Sequence, residues 1–311
     1  MQSQPDPAKT PRSPSLKDWL GLSLLGIIWG ASFMAVTVAG RGFGPLSIAA
    51  GRIALGAVIL LILIRMMRLD LPGLSRPNAR IWLSALGLGF FSMALPFFLL
   101  SWGQVYVASG FAGVSMAAGP LLTMVLAHFL VENERISPAK AFGIGLGFVG
   151  VVLLIGPDAL KSSGAGLETW ARLACVGAAL SYAIGSIVTR RAPQVDPIAF
   201  ATMATLLGAL MIVPIAAIAE GVPQSPGLTA TIALIFLGVV PTAIANLLLV
   251  SVIRSAGPSF ISLVNYQVPV WSVLFGWLLL GEALPGLVFV ALALILTGMA
   301  ISQGLSRLAR R

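Results

Sequence analysis

The chain has 311 residues, of which 58% are hydrophobic and only 9% are charged, and its mean hydropathy is +0.99. Soluble globular proteins are about half apolar and roughly a quarter charged, so this composition excludes a soluble enzyme, a secreted disulfide scaffold and a DNA-binding domain. The formal net charge of +9 would suggest nucleic acid in a soluble protein, but here membrane topology explains the basic residues better.

The first segment of the chain, residues 1–15, is polar and carries four prolines. We interpret it as a disordered cytoplasmic tail. The apolar run from Leu20 to Val38 follows it without the small-residue cleavage site of a signal peptide. This run is therefore predicted to be a retained membrane span.

Ten apolar runs, separated by charges, prolines and glycines, predict ten transmembrane helices. They cover residues 17–38, 46–66, 79–101, 104–130, 138–156, 169–190, 197–219, 229–252, 257–280 and 284–304. Most connections are short, so neighbouring helices should be antiparallel, and no linker is long enough to separate two independent domains. The predicted fold class is an all-α membrane protein.

The distribution of basic residues predicts the orientation of the chain in the membrane. If the N-terminus is cytoplasmic, 15 of the 19 Lys and Arg residues lie at cytoplasmic ends, Arg41, Lys161 and Arg172 lie at outer ends, and Arg52 lies inside a span. Short basic loops stay inside. We therefore expect a multi-pass protein of a bacterial-type inner (plasma) membrane with both termini cytoplasmic.

The two halves of the chain resemble each other at an offset of about 150 residues. The matching pairs are Trp19 with Trp170, Gly26 with Gly177, Pro120 with Pro269, and Asn133-Glu134 with Gly281-Glu282. Five spans per copy is an odd number, so the second copy must enter the membrane from the opposite side. The expected units are two inverted five-helix repeats, 16–156 and 157–306, an arrangement typical of secondary transporters.

Several segments also resemble the EamA-type transporters of the drug/metabolite transporter superfamily. They are Ile28-Trp29-Gly30-Ala31-Ser32-Phe33, Pro45, Ala50-Gly51-Arg52, the stretch from Pro120 to Ser137, the glycine-rich run from Gly143 to Gly150, Gly257-Pro258, Pro269 and Gly281-Glu282. The chain departs from the family pattern at Glu132 and Asn133, where a Leu-Gly pair would be usual. The resemblance implies a ten-helix transporter that needs no ATP, with many relatives that export amino acids or other small metabolites.

Polar and aromatic residues near the middle of four spans are the candidates for substrate binding. They are Trp29, Ser32, Tyr182, Asn246, Asn265, Tyr266 and Trp271. A polar group in hydrocarbon costs free energy unless it has partners or water, and aromatic rings would supply flat walls for an apolar or aromatic substrate. The alternative, that the polar residues only form hydrogen bonds between helices, stays open.

Two prolines and two glutamates are the candidates for conformational roles. Pro120 and Pro269 interrupt helices at corresponding places in the two halves, where a transporter would hold its midplane site. Glu134 and Glu282 follow helix ends at opposite membrane faces and are interpreted as gate or capping residues.

The ionisable residues disfavour a carboxylate-driven mechanism. All ten Asp and Glu residues fall in tails, loops or span ends, whereas proton or sodium exchange would favour an acid at mid-membrane. This distribution favours facilitated diffusion. For Arg52 we expect a structural role of the family type, although a substrate carboxylate could use it.

The sequence as a whole predicts a secondary transporter that exports small organic metabolites, foremost amino acids, by alternating access. The alternative is a multidrug or other metabolite exporter with proton coupling. An intramembrane serine protease is disfavoured because Ser115 and His128 lie on one helix about 20 Å apart. We expect no cofactor or metal, and the expected partners are a small-molecule substrate and the lipid bilayer, with no nucleic acid.

Overall fold

The computed structural model describes residues 14–131, 134, 136–155 and 166–304. Within that part of the chain nine helices are long and apolar enough to cross a membrane, and a shorter apolar helix completes a tenth span. We label the spans α1–α10: Leu16–Ala39, Pro45–Met66, Arg76–Gly103, Ser109–Leu130, Pro138–Ile155, Leu167–Arg191, Pro197–Ala219, Leu228–Ala256, Pro258–Ile261 with Val264–Leu280, and Gly286–Gln303. The predicted all-α membrane fold is confirmed.

Local sequence signals set several helix ends. Helix α1 begins with a capping box, in which the Ser15 side chain accepts a hydrogen bond from the Asp18 backbone N–H and the Asp18 carboxylate accepts one from the Ser15 N–H. The Asp196 carboxylate accepts hydrogen bonds from the first turn of α7. Helix α9 ends at Gly281, which has a left-handed φ of 67° that glycine adopts without steric cost.

Two predicted spans differ from the observed helices. The run 104–130 was expected to be helical from its first residue, but Gln104 to Tyr106 form a turn that ends α3, and α4 begins only at Ser109. Gly103 directly precedes this turn, but the turn itself contains no charge or proline, so hydropathy alone does not reveal it. Helix α9 is interrupted at Ser262 and Leu263, between its short first segment and its long second one.

Two spans contain π-helical segments next to prolines. Residues Phe90–Ala94 in α3 precede Pro96, and residues Gly238–Ile244 in α8 include Pro241. Proline has no N–H, and its ring clashes with the carbonyl four residues earlier. The wider π turn accommodates this clash, and such segments occur frequently at functional sites.

Contacts at the helix ends define the directions of the spans. We call the face where α1 begins the terminal face and the face where it ends the distal face. Asp18 near the start of α1 accepts a hydrogen bond from Ser255 at the end of α8. Arg190 at the end of α6 pairs with Glu134, which follows the end of α4. Helix α4 ends at the terminal face after crossing from the distal one, so α6 ends there too and runs opposite to α1.

The packing of the spans follows the same inversion. Helix α1 packs against α8 and α9, and correspondingly α6 packs against α3 and α4. Helices α2 and α7 pack against each other, as do α5 and α10. When each helix is exchanged for its counterpart in the other half, α1 for α6 through α5 for α10, each of these pairs becomes another observed pair or remains the same pair. The ten spans therefore form two inverted five-helix repeats.

Candidate functional site

A chain of side-chain contacts crosses the centre of the bundle and joins the two repeats. It starts in α1, where the Trp29 Nε1–H donates to the carbonyl of Pro241 in the π-helical segment of α8 at 3.3 Å. The next residue, Thr242, donates its hydroxyl to the Leu237 carbonyl at 2.8 Å. The same hydroxyl oxygen accepts from Nη2 of Arg52 in α2 at 3.5 Å.

The Arg52 guanidinium also lies on an aromatic face. Its Cζ is 3.6 Å from the centroid of the Phe97 ring in α3, a geometry that favours cation–π attraction. The Phe97 ring in turn contacts Tyr182 of α6, with 6.4 Å between centroids and 61° between planes. We call Trp29, Arg52, Phe97, Tyr182 and Thr242 the central cluster.

The central cluster contains a buried cation without a carboxylate partner. Arg52 is only 5% exposed, and its Nε has no hydrogen-bond partner among the described residues. The ion pairs within that part of the chain are Glu168–Arg172, Glu134–Arg190 and Asp196–Arg254, all at helix ends. Burial of a charge is costly unless it is paired, so the cluster favours an anionic group beside Arg52.

The two π-helical segments are held in the same way by the first helix of the other repeat. Trp29 of α1 binds the Pro241 carbonyl in α8, and Ser181 of α6 donates to the Phe91 carbonyl in α3 at 2.7 Å. In the alignment that pairs Trp19 with Trp170, Trp29 corresponds to Leu180, the residue directly before Ser181. These hydrogen bonds anchor irregular backbone inside the bundle, where it must be satisfied by protein groups.

Three predicted site residues lie in or next to the central cluster. Trp29 and Tyr182 belong to it, and both side chains remain partly exposed. The Asn246 side chain donates to the backbone carbonyl of Thr242, one turn away in α8. Trp29, Tyr182 and Asn246 therefore belong to one contact network.

Two other predicted residues, Ser32 and Trp271, make contacts within their own helix or with a neighbouring helix. The Ser32 hydroxyl donates to the Trp29 carbonyl at 2.6 Å, and Ser32 is 8% exposed. The Trp271 ring stacks on Phe275, with 5.7 Å between centroids, while its backbone lies against Gly30 of α1.

Asn265 and Tyr266 make their described contacts away from the central cluster. The Asn265 side chain donates to the Ser262 carbonyl at 3.0 Å. The Tyr266 hydroxyl donates to Gln303 of α10 at 3.4 Å and lines a crevice of about 340 Å³ against that helix. The break in α9 at Ser262 and Leu263 lies directly before the helical segment that carries Asn265 and Tyr266.

The predicted gate residues make carboxylate contacts at the two faces. At the distal face, Glu282 accepts three hydrogen bonds from the start of α4: Ser109 N–H at 2.9 Å, Ser109 Oγ at 3.0 Å and Gly110 N–H at 3.0 Å. At the terminal face, Glu134 accepts from Arg190 at 2.7 Å. That hydrogen bond lowers the pKa of Glu134. Both contacts join one repeat to the other.

The corresponding prolines lie in helices that contain an irregular turn or a break. Pro120 follows a 3₁₀ turn, Met116–Ala118, inside α4. Pro269 is buried inside the longer segment of α9, seven residues after Ser262, where the break begins. Its carbonyl accepts a hydrogen bond from the Ser272 hydroxyl at 2.8 Å.

A cavity of about 410 Å³ opens at the distal face between α1, α2 and α3. Its lining includes Thr37, Arg41, Ile48, Ser101 and Gln104. Neither this cavity nor the contacts of Phe97 and Thr242 in the central cluster could be predicted from hydropathy and motifs. Phe97 lies in a uniformly apolar stretch, where no contrast in polarity distinguishes one phenylalanine from the next.

Comparison with known proteins gives a consistent result. The EamA-like transporter family matches the chain twice, over residues 17–156 and 169–303. A relative in Archaeoglobus fulgidus, named "Uncharacterized transporter", is 27% identical over 92% of this chain and 98% of its own length. A relative in Streptantibioticus cattleyicolor, named "Probable terminal-alkyne amino-acid exporter", is 26% identical over 90% of this chain and 91% of its own.

A solved crystal structure shares the fold. It aligns with a TM-score of 0.63 and 21% identity, and the alignment covers 95% of this chain and 100% of the other. At this level of identity the likeness supports the fold alone.

Proposed function

The chain belongs to the EamA-like transporter family, and we propose that it exports small organic metabolites, foremost amino acids. The observation that carries the proposal is the central cluster, which joins both repeats through Trp29, Arg52 and Tyr182 in the middle of the bundle. A transporter with inverted repeats binds its substrate at such a place.

The side chains of the cluster favour an apolar or aromatic amino acid. Trp29, Phe97 and Tyr182 present ring faces, and rings of this size bury large apolar areas. One relative carries the name of an amino-acid exporter, which supports the same substrate class.

The proposed mechanism is alternating access between the two repeats, 16–156 and 157–306. Pro120 and Pro269 are proposed as hinges because they occupy corresponding positions in α4 and α9, Pro120 two residues after a 3₁₀ turn and Pro269 inside the longer segment of the interrupted helix. Glu134 and Glu282 are proposed as gates because each joins the two repeats at one face.

We place the protein in a bacterial inner membrane with the terminal face in the cytoplasm, following the distribution of basic residues. The distal face is then external. Facilitated diffusion is the proposed mode, since the carboxylates in the described ranges lie at helix ends and connections, away from the depth that ion coupling would use.

Counterflow into proteoliposomes tests the function. Vesicles loaded with unlabelled phenylalanine, leucine or another amino acid of a broad panel should accumulate the labelled form, without an imposed pH gradient. Trp29→Ala should abolish the uptake. The matched control is Trp277→Ala, whose ring is 63% exposed on the outside of α9 and whose loss should leave uptake unchanged.

Three outcomes would change the proposal. Absence of counterflow with every amino acid of the panel would contradict the substrate class. Uptake that requires a pH gradient would replace facilitated diffusion with proton coupling. Equal loss of uptake in the Trp29 and Trp277 variants would remove the central cluster from the transport path.

A further inference from the structure

Arg52 has more hydrogen-bonding capacity than the protein uses. A guanidinium offers five N–H donors in a planar fork. Among the described residues Arg52 makes one hydrogen bond, the 3.5 Å contact to Thr242, and its buried Nε has no partner. The Phe97 ring covers one face of the plane, which leaves the edge of the fork available for a ligand.

The cavity at the distal face is lined by residues one helical turn away from Arg52 and from Phe97. Ile48 lines the cavity and lies four residues before Arg52 on α2. Ser101 also lines it and lies four residues after Phe97 on α3. Residues four apart share a helix face and are one turn, about 5.4 Å, apart. The cavity therefore lies one helical turn from the Arg52–Phe97 pair, on the side of the distal face.

The lining of the cavity suits an anion. Arg41 stands at its mouth, and Gln104 presents an amide whose oxygen accepts from Thr37 at 3.2 Å. The Ser101 side chain is 3% exposed, and its hydroxyl has no hydrogen-bond partner in the described structure. The lining residues carry no carboxylate, and the Glu220 carboxylate beside them accepts hydrogen bonds from the Leu46 and Ser47 N–H groups at the start of α2. The volume of about 410 Å³ falls in the usual range for small-molecule pockets, about 300–1,000 Å³.

We propose that Arg52 binds the carboxylate of the transported solute through its planar fork, and that the solute exchanges with the distal side through the cavity lined by Ser101 and Gln104. The inference rests on the proposed function and deepens it by naming the group recognised. A carboxylate accepts two parallel hydrogen bonds from a guanidinium, and the apolar part of the solute would lie against Phe97 and Tyr182. The expected substrates are amino acids and small organic acids, and their amides and amines should be excluded.

The test measures binding separately from transport. The purified protein is heated with each member of a panel of amino acids and small organic acids, and with the matching carboxamides such as phenylalaninamide. Carboxylates that bind should raise the unfolding midpoint and the amides should not. Arg52→Gln should weaken carboxylate binding by about ten- to a hundredfold, the effect of losing charge-assisted hydrogen bonds. Arg80→Gln, an exposed arginine at the start of α3, is the control and should bind as the wild type does.

Further variants keep the test decisive if Arg52→Gln does not fold. Arg52→Lys keeps the charge without the planar fork and should weaken binding less than Gln. Ser101→Asp places a carboxylate in the cavity, one helical turn from the Phe97 ring that faces Arg52, where it should compete with the carboxylate of the solute and also weaken binding. Both variants are tested with the same panel of ligands and the same measurement of the unfolding midpoint.

Failure of the inference and failure of the proposed function give different results. If the wild type shows counterflow but Arg52→Gln retains the preference of the wild type for acid over amide, the inference is wrong and the function stands. If carboxylates bind in an Arg52-dependent way but none is transported, the inference stands and the function is wrong. If no carboxylate binds or is transported, both are overturned.

Discussion

The contact between Glu282 and the start of α4 allows a prediction of stability. Helix α4 begins after Ala108, which offers no side-chain cap. Glu282, at the end of α9, supplies the cap from the other repeat with three hydrogen bonds to Ser109 and Gly110. Glu282→Ala therefore removes a helix cap, a favourable charge at a helix N-terminus and a link between the repeats.

The expected loss of stability in Glu282→Ala is the sum of these contributions. Loss of an N-cap costs about 1 kcal/mol, with a range of about 0.5–2. Loss of a negative charge at a helix N-terminus costs about 0.3–1 kcal/mol. The remaining backbone N–H loses a charge-assisted bond at a partly buried site, so we expect a total of about 2–3 kcal/mol. Glu282→Gln keeps an oxygen acceptor without the charge and should cost about half as much.

Heating the detergent-solubilised protein and measuring the fraction that stays monodisperse gives the unfolding midpoint of each variant. The control is Glu168→Ala, which removes an ion pair with Arg172 on the exposed surface of α6 and should change stability by less than about 0.5 kcal/mol. Midpoints for Glu282→Ala and Glu168→Ala that coincide would refute the capping argument. A loss for Glu282→Gln as large as that for Ala would show that the charge alone, rather than the acceptor geometry, matters.

Two further predictions concern helix packing and pH. A Cβ at Gly30 would collide with Trp271, so Gly30→Ala should lower the unfolding midpoint by an amount corresponding to about 1–3 kcal/mol, whereas Gly145→Ala, where no atom lies within 4 Å, should be neutral or slightly stabilising. Because Arg190 lowers the pKa of Glu134 below its ordinary value of 4.5, the stabilisation by this exposed pair, under about 1 kcal/mol, should be present above that pH and disappear as the pH falls through the lowered pKa. The midpoint difference between wild type and Glu134→Gln, measured from neutral to acidic pH, should follow this course, and a difference that grows on acidification would contradict it.

The fold was predictable because hydrocarbon imposes a strong constraint on sequence. A span must be apolar for about 20 residues and must satisfy its own backbone, so hydropathy located ten helices. It could not locate the start of α4, because Gln104 to Tyr106 turn inside a stretch that stays apolar on both sides. Nor did it distinguish a π-helical segment from a simple kink at Pro241, since that choice depends on how α1 and α2 pack against it.

The candidate site was predictable only in part, for a related reason. Trp29 and Tyr182 stand out as amphipathic residues at mid-span, and both belong to the central cluster. Phe97 is important through its position over Arg52, and position is set by the packing of α2 against α3. Tyr266 has the same chemical character as Tyr182, yet its hydroxyl donates to Gln303. Residue type gives the capacity for a contact, and tertiary packing decides which partner receives it.

The inversion of the repeats also relates the cavity at the distal face to an ion pair at the terminal face. Gly44 and Gln104 line the cavity, and at an offset of about 150 residues they correspond to Asp196 and Arg254. At the terminal face this second pair forms an ion pair at 3.2 Å between the start of α7 and the end of α8.

Among the described residues, the first repeat thus has a cavity where the second has an ion pair, and alternating access requires such an asymmetry. In the proposed cycle the Asp196–Arg254 pair breaks when a cavity opens at the terminal face between α6, α7 and α8. An exposed ion pair contributes under about 1 kcal/mol, which is small enough for substrate binding to offset. Spin labels at the ends of α6 and α8 should therefore move apart when a transported solute is added, and an unchanged distance would contradict this exchange of cavities.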